Sequence, residues 1–303
     1  MTNILEIDGL TKHYGAIKAV DQLNLQVGKG QIYGILGPNG SGKTTTLGMI
    51  MGIIQPKAGS YSWFEGLKAQ DARKKIGTLL ETPNFYPFMT AVQNLKVVAH
   101  IKRVKNPKIE EHLKLVRLFG RKDYAFKTYS LGMKQRLAIA AGLIGDPEVL
   151  IFDEPTNGLD PEGIAEVRQL ILQIANRGKT IIMASHILDE VEKICSHVAI
   201  IKNGVLLTDG AVDSIINAQP TIEVASADIA RLKAAFTGQQ GVLDLSIQAD
   251  KLMVILKDDY GPAYLNELAH QKGIILNHLF LKKKSLEEEF LDITRDQNQD
   301  PKA

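Results

Sequence analysis

Along the first 35 or so residues, apolar and polar positions alternate as they do in half-buried strands. Ile4-Leu5-Glu6-Ile7 makes one such run, and Leu23, Leu25 and Val27 share a face of another that ends at Gly28 and Gly30. Gln31-Ile32-Tyr33-Gly34-Ile35-Leu36 then reads as a buried strand that runs straight into Gly37. From Lys43 to about Gly52 the spacing predicts a helix. Residues 85–145 read as a mostly helical lobe, because Thr90-x-x-Gln93 fits a capping box and Ile109 to Phe119 is periodic up to Gly120. Strand-like runs return at Val149–Phe152 and Thr180–Ala184. Between them a helix is predicted from about Pro161 to Arg177, with Asp160 as N-cap, Pro161 in the first position and Gly178 as the stop. Ile164, Val167, Leu170, Ile171 and Ile174 form its inward stripe. Strands alternating with helices imply an α/β fold with a mostly parallel sheet.

The pattern changes near Asn217-Ala218-Gln219-Pro220. Beyond it the expected elements are strand 221–224, helix 228–236, strands 242–248 and 251–257, helix 262–272, strand 274–281 and helix 285–293. The order βαββαβ predicts a small α+β domain of ferredoxin-like arrangement. The expected organisation is therefore a first domain over 1–216, a small accessory domain over 220–294, and a disordered tail over 295–303.

Composition narrows the classes without naming one. The chain of 303 residues is 45% hydrophobic and 23% charged, which suits one large or two smaller globular domains. Lys+Arg 36 against Asp+Glu 34 gives a formal charge of +2, so no nucleic-acid partner is expected. Cys195 is the single cysteine, which excludes an internal disulfide. The start, MTNILEIDGLTKHYG, does not have the form of a signal peptide. No apolar stretch approaches the roughly 18 residues of a membrane span.

The chemistry enters at Gly37-Pro38-Asn39-Gly40-Ser41-Gly42-Lys43-Thr44, which matches G-x-x-x-x-G-K-[ST]. The glycines allow the backbone to curl so that several N–H groups face one phosphate chain, and the following helix adds its positive end. Lys43 is expected to reach the β- and γ-phosphates, and the Thr44 hydroxyl to ligate Mg²⁺. Thr45 follows inside the same phosphate-binding turn. A second half-site is Val149-Leu150-Ile151-Phe152-Asp153-Glu154, four apolar residues ending in two acids. A buried strand would deliver Asp153 to the metal, and Glu154 to an attacking water. No Asn-Lys-x-Asp stretch occurs, which argues against a GTPase.

Over residues 1 to about 215 the sequence resembles the nucleotide-binding subunits of ABC transporters, whose motifs it carries in order. Tyr14, in Lys12-His13-Tyr14-Gly15, matches the aromatic residue that stacks on adenine. Ser130-Leu131-Gly132-Met133-Lys134-Gln135-Arg136 occupies the signature position, Pro155-Thr156-Asn157-Gly158-Leu159-Asp160 the loop that joins two subunits, and Ser185-His186 the switch histidine. The resemblance implies a P-loop NTPase fold with an antiparallel β arm and a helical lobe. It also implies hydrolysis of ATP with Mg²⁺, with Glu154 as general base and with Ser130 and Gly132 as γ-phosphate contacts.

Two places depart from the usual pattern. Tyr129-Ser130-Leu131-Gly132-Met133 stands where Leu-Ser-Gly-Gly-Gln is usual, and Glu81 replaces the glutamine expected to face the metal. Both departures are similar to the branch of bacitracin and lantibiotic exporters. One P-loop and one signature in the chain imply a head-to-tail dimer, with itself or a related subunit, holding two MgATP. A separate polytopic permease would be the partner, and the cytoplasmic face of the membrane the place of work. Phe85, Tyr86, Phe88 and Met89 are the candidate docking residues, with lobe core as the bland alternative. A soluble ABC-type ATPase acting on ribosomes or DNA, a regulatory subunit with weak hydrolysis, and a small-molecule P-loop kinase are the competing readings. The last leaves the signature, Glu154 and His186 unexplained.

Overall fold

The computed structural model describes residues 2–80, 82–216, 221–257, 259–282 and 285–296. The chain divides into two compact units, Met1–Val212 and Asp213–Ala303.

The first unit opens with two long strands, β1 (Asn3–Tyr14) and β2 (Ile17–Gly28), followed by the short β3 (Ile32–Leu36) and the helix α1 (Lys43–Ile50). After β4 (Ala58–Trp63), α2 (Ala69–Lys74) and β5 (Ile76–Leu79), the lobe carries α3 (Ala91–Ile101), α4 (Ile109–Leu115) and α5 (Leu131–Leu143). The chain then alternates through β6 (Val149–Asp153), α6 (Pro161–Ala175), β7 (Thr180–Ser185) and α7 (Leu188–Ile194), and closes the unit with β8 (His197–Lys202) and β9 (Val205–Ala211).

Two sheets result. β2-β1-β4 is a three-stranded antiparallel arm, and β5-β6-β7-β3-β8-β9 is a six-stranded sheet, parallel apart from β9. β3, β6 and β7 are buried at every position, as expected of strands covered on both faces. One core joins the arm to this sheet: Leu5, Leu10 and Leu23 pack in the same cluster as Ile35, Ile151 and Ile182.

The helices start where their caps place them. Thr90 Oγ1 accepts from the Gln93 amide at 3.2 Å, and Gln93 Oε1 accepts from the Thr90 amide at 2.8 Å, so the predicted capping box is formed. Asp160 caps α6 by accepting from the Gly163 amide at 3.0 Å. α5 lies against β5 because Gly77 has no side chain: a Cβ there would stand 2.2 Å from the Gly142 carbonyl oxygen.

In the second unit, after α8 (Val212–Ile216), the elements are β10 (Thr221–Ser226), α9 (Ile229–Phe236), β11 (Val242–Gln248), β12 (Lys251–Leu256), α10 (Pro262–Gln271), β13 (Leu276–Lys282) and α11 (Leu286–Asp296). The strands form one antiparallel sheet in the order β11-β12-β10-β13. Ile222, Val224, Leu232, Phe236, Leu252, Val254 and Leu265 are its core. The expected disordered tail lies largely outside the described residues.

Candidate active site

The three chemical segments meet because their strands are neighbours. In the order β6-β7-β3 all strands are parallel, with Asp153 level with Ala184 and Leu36 level with Ser185. Their carboxyl ends therefore present Gly37, Glu154 and His186 side by side, at the edge of an open α/β sheet where ligands bind.

The Gly37–Thr44 turn is shaped by positions that accept no side chain. A Cβ on Gly37 would lie 2.1 Å from the Ile201 carbonyl oxygen, and one on Gly42 (φ +105°) 2.3 Å from the Ala19 carbonyl oxygen. Lys43 is 5% exposed. Its Nζ donates to the carbonyl oxygens of Gly37 at 2.8 Å and Pro38 at 3.2 Å, and stands 3.4 Å from Glu154 Oε1. The other carboxylate oxygen of Glu154 is 2.8 Å from His186 Nδ1 and accepts from the His186 amide at 3.3 Å. Glu154 takes a left-handed backbone (φ +50°), and its amide donates to the Ala184 carbonyl at 3.0 Å. This backbone turn carries the carboxylate to Lys43 and His186. Thr44 Oγ1 donates to Asp153 Oδ1 at 3.3 Å.

One cavity of about 380 Å³ opens on this constellation, lined by Tyr14, Asn39, Gly40, Gly42, Lys43, Thr44, Thr45, Glu154, Asn157 and His186 among others. Tyr14, 49% exposed, is at the end of β1, with Lys12 Nζ over its ring at 5.4 Å from the centroid. The cavity thus has a flat aromatic wall at one side, a cation with backbone N–H donors at the other, and a carboxylate next to an imidazole. That set can hold a nucleotide by base and phosphates and place a base near its terminal phosphate. Paired hydroxyl and carboxylate oxygens at Thr44 and Asp153 suit a hard divalent cation. Among the described residues no group of three or more His, Cys, Asp and Glu gathers.

Not all predicted site residues are here. Ser130, Gly132 and Asp160 line a second groove of about 380 Å³ with Leu131, Arg136, Gly158, Leu159, Glu162, Gly163 and Glu166. The two cavities share no residue. Ser130 Oγ caps α5 by accepting from the Met133 amide at 3.3 Å. Gly37, Pro38 and Ser41 shape the phosphate turn without lining the cavity, and Glu81 lies outside the described residues. Asn157 is an addition to the sequence-predicted site. Its signal was its place three residues after Glu154, where its amide donates to the Glu154 carbonyl at 3.1 Å. Arg136, already in the signature stretch, and Glu166, which is an addition, also line the second groove, and only their spacing on two helices could have paired them.

Comparison with known proteins gives a consistent set. A family profile described as ABC transporter matches residues 20–157. The bacitracin transport ATP-binding protein BcrA of Bacillus licheniformis is 37% identical over 301 residues, 97% of this chain and 98% of that protein. The lantibiotic transport ATP-binding protein SrtF of Streptococcus pyogenes is 39% identical over 215 residues, 71% of this chain and 93% of that protein. Among solved structures, cbiO1 from Clostridium perfringens, part of the ABC transporter complex cbiONQ, has a TM-score of 0.65 at 28% identity, covering 72% of this chain and 92% of its own. The ATP-binding cassette MJ0796, in a dimeric post-hydrolysis state bound to ADP and Pi, has a TM-score of 0.62 at 25% identity, covering 69% and 99%.

Proposed function

This chain belongs to the ATP-binding subunits of ABC transporters and is an ATPase, and we propose that it drives a separate membrane permease as an export motor. Subunits of this family bind ATP, work with membrane permease components and dimerise. The observation that carries the finer reading is the separation of the two cavities. Lys43, Glu154 and His186 gather in one, while Ser130, Gly132 and Asp160 line another with no residue in common. That Ser130 and Gly132 line a groove apart from the one holding Lys43 supports a second subunit completing each site. Two head-to-tail subunits, identical or related, would then enclose two ATP.

In that arrangement Tyr14 stacks on the base, Lys43 neutralises the β- and γ-phosphates, and Glu154 takes the proton of the attacking water. His186, held against Glu154, senses the terminal phosphate. Mg²⁺, held by Thr44 and Asp153 with Glu81 as a further candidate, would supply charge neutralisation on the transferred phosphoryl group. The names of the bacitracin and lantibiotic transport relatives support a motor for the transport of such peptides, and its proposed place of work is the cytoplasmic face of the membrane. No helix among the described residues is long and apolar enough to cross a membrane, in keeping with a peripheral subunit. Tyr86 and Phe88 are 57% and 78% exposed, which supports docking, whereas Phe85 packs edge-on against Phe126 with ring centroids 5.2 Å apart, nearer the core alternative. In the second unit, the β-α-β-β-α-β order with all-antiparallel pairing supports the ferredoxin-like reading.

The test is the mass of the full-length Glu154→Gln chain by size-exclusion chromatography with light scattering. A shift from monomer to dimer on adding ATP, absent with ADP, is expected. A chain that stays monomeric at saturating ATP overturns the shared-site reading.

A further inference from the structure

The second groove shows how this chain's own signature sequence is accommodated. Leu131 stands where the usual signature has its first glycine, and a side chain there needs somewhere to go. It goes onto the loop before α6: its Cδ2 would be 3.2 Å from a Cβ on Gly158, which is in the left-handed region at φ +73°. On the other side, Leu159 Cδ2 would be 3.9 Å from a Cβ on Gly132. Two leucines, one from each segment, therefore lie over glycines of the opposite segment. Below them Arg136 Nη2 stands 3.4 Å from Glu166 Oε2, while its Nη1 donates to the Val116 carbonyl at 3.2 Å. The Arg136 side chain is 13% exposed and that of Glu166 30%, so this tie between α5 and α6 is half-buried. The N-termini of α5 and α6, with Ser130 and Asp160 as their caps, are thus joined at the loop by apolar contact and two turns further in by an ion pair.

We propose that Leu131 is a positioning residue of the two-subunit nucleotide site: by covering Gly158 it locks the Ser130–Gly132 segment to the Pro155–Asp160 loop, so that both meet the neighbouring subunit's nucleotide as one preformed surface. This rests on the shared-site reading above. A glycine in place of Leu131 would leave the segment free to sample conformations that must be given up whenever the dimer closes. The loss is then one of preorganisation. It raises the ATP concentration needed for closure and leaves the closed site's chemistry as it was.

The test is the steady-state ATPase of the full chain against ATP concentration, for the parent, Leu131→Gly, Leu131→Ala, Gly158→Ala and the Leu131→Ala/Gly158→Ala pair. Leu131→Gly should raise KM about two- to fivefold with kcat changed less, the range a glycine's extra backbone freedom supplies. Gly158→Ala drives its new methyl against Leu131 and should raise KM as well. Its effect should shrink in the Leu131→Ala background to the part that left-handed backbone strain alone supplies, because the obstacle is gone. An unchanged KM in Leu131→Gly overturns the proposal. So does a Gly158→Ala effect that multiplies undiminished with Leu131→Ala, which would trace it to left-handed backbone strain alone. In the Glu154→Gln background, light scattering separates the two readings. Absence of any ATP-dependent dimer removes the shared site and this proposal together. A dimer whose ATP requirement is the same with Leu131→Gly removes this proposal only.

Discussion

Replacing Glu154 by glutamine should do more than stop hydrolysis, because without nucleotide Glu154 is a partner of the P-loop lysine. Lys43 Nζ has three oxygen neighbours, the carbonyls of Gly37 and Pro38 and Glu154 Oε1 at 3.4 Å. An arriving phosphate must take Lys43 from that arrangement. At 3.4 Å, the attraction between unit charges is about 5 kcal/mol at an effective dielectric of about 20, before desolvation is set against it. Glutamine keeps an oxygen acceptor in the same place, so only the difference between a charged and a neutral acceptor is lost. Desolvation of the buried pair offsets most of that attraction, so the difference between a charged and a neutral acceptor is about 1 kcal/mol. The left-handed backbone at 154 costs glutamate and glutamine the same and cancels. The nucleotide-free variant is thus less stabilised by about 1 kcal/mol and should bind phosphates about fivefold more tightly. Removing a carboxylate near the phosphates acts in the same direction. Turnover falls at least about a hundredfold through loss of the general base. ADP is the informative ligand, since it lacks the γ-phosphate and reports on Lys43 without dimer closure. Calorimetric titration of parent and Glu154→Gln with ADP, at concentrations where both are monomeric, makes the comparison. An ADP affinity equal to or weaker than the parent's refutes the competition between Glu154 and phosphate for Lys43.

Tyr86→Ala should abolish co-purification with the permease from detergent while the isolated ATPase rate stays within twofold of the parent; a loss of folded protein, seen by thermal melting, would favour a core role. Cys195 packs beneath β3 and burial pushes its thiol well above the ordinary range, so it should resist aromatic disulfide reagents in the native chain and react at once in denaturant. Rapid native labelling would contradict that burial. On the proposed metal role of Glu81, Glu81→Gln should make ATP affinity less dependent on Mg²⁺, because glutamine offers a neutral oxygen where glutamate offers an anionic one. Superimposable Mg²⁺ titrations would remove Glu81 from the metal-linked residues.

What the sequence made legible followed from local rules. The Gly37–Thr44 turn was readable because its spacing is chemical, and α6 because cap, first-position proline, apolar stripe and stop all agree. The arm was only half visible. β1 runs from Asn3 to Tyr14, but the pairing with β2 shifts register between Ile7 and Leu10 and again before Lys12 and His13. Each shift moves the buried face, so Leu10 and Thr11 are both buried in succession and the alternation beyond Ile7 disappears. The lobe reads as mostly helical, and between α4 and α5 it passes through two 3₁₀ turns, Phe119–Arg121 and Phe126–Thr128, that the pattern did not mark. Their aromatic residues pack or pair with lysines, and three-residue turns carry no period to read.

The site itself divides along the same line. Residue types could be assigned from spacing, but the coupling between Lys43 and Glu154 spans the sheet and depends on β3 and β6 flanking β7. Neither the parallel register nor the left-handed turn at Glu154 leaves a mark in the residue order, since glutamate is not the residue that such a turn favours. That mismatch is itself informative. The left-handed turn aims the carboxylate back across the strand ends at Lys43 and His186, and the turn's cost is tolerated for that aim. A glycine at 154 would relieve the backbone and remove the carboxylate proposed as the base. The strain and the chemistry therefore belong to the same residue, and a more stable turn here would be an inactive one.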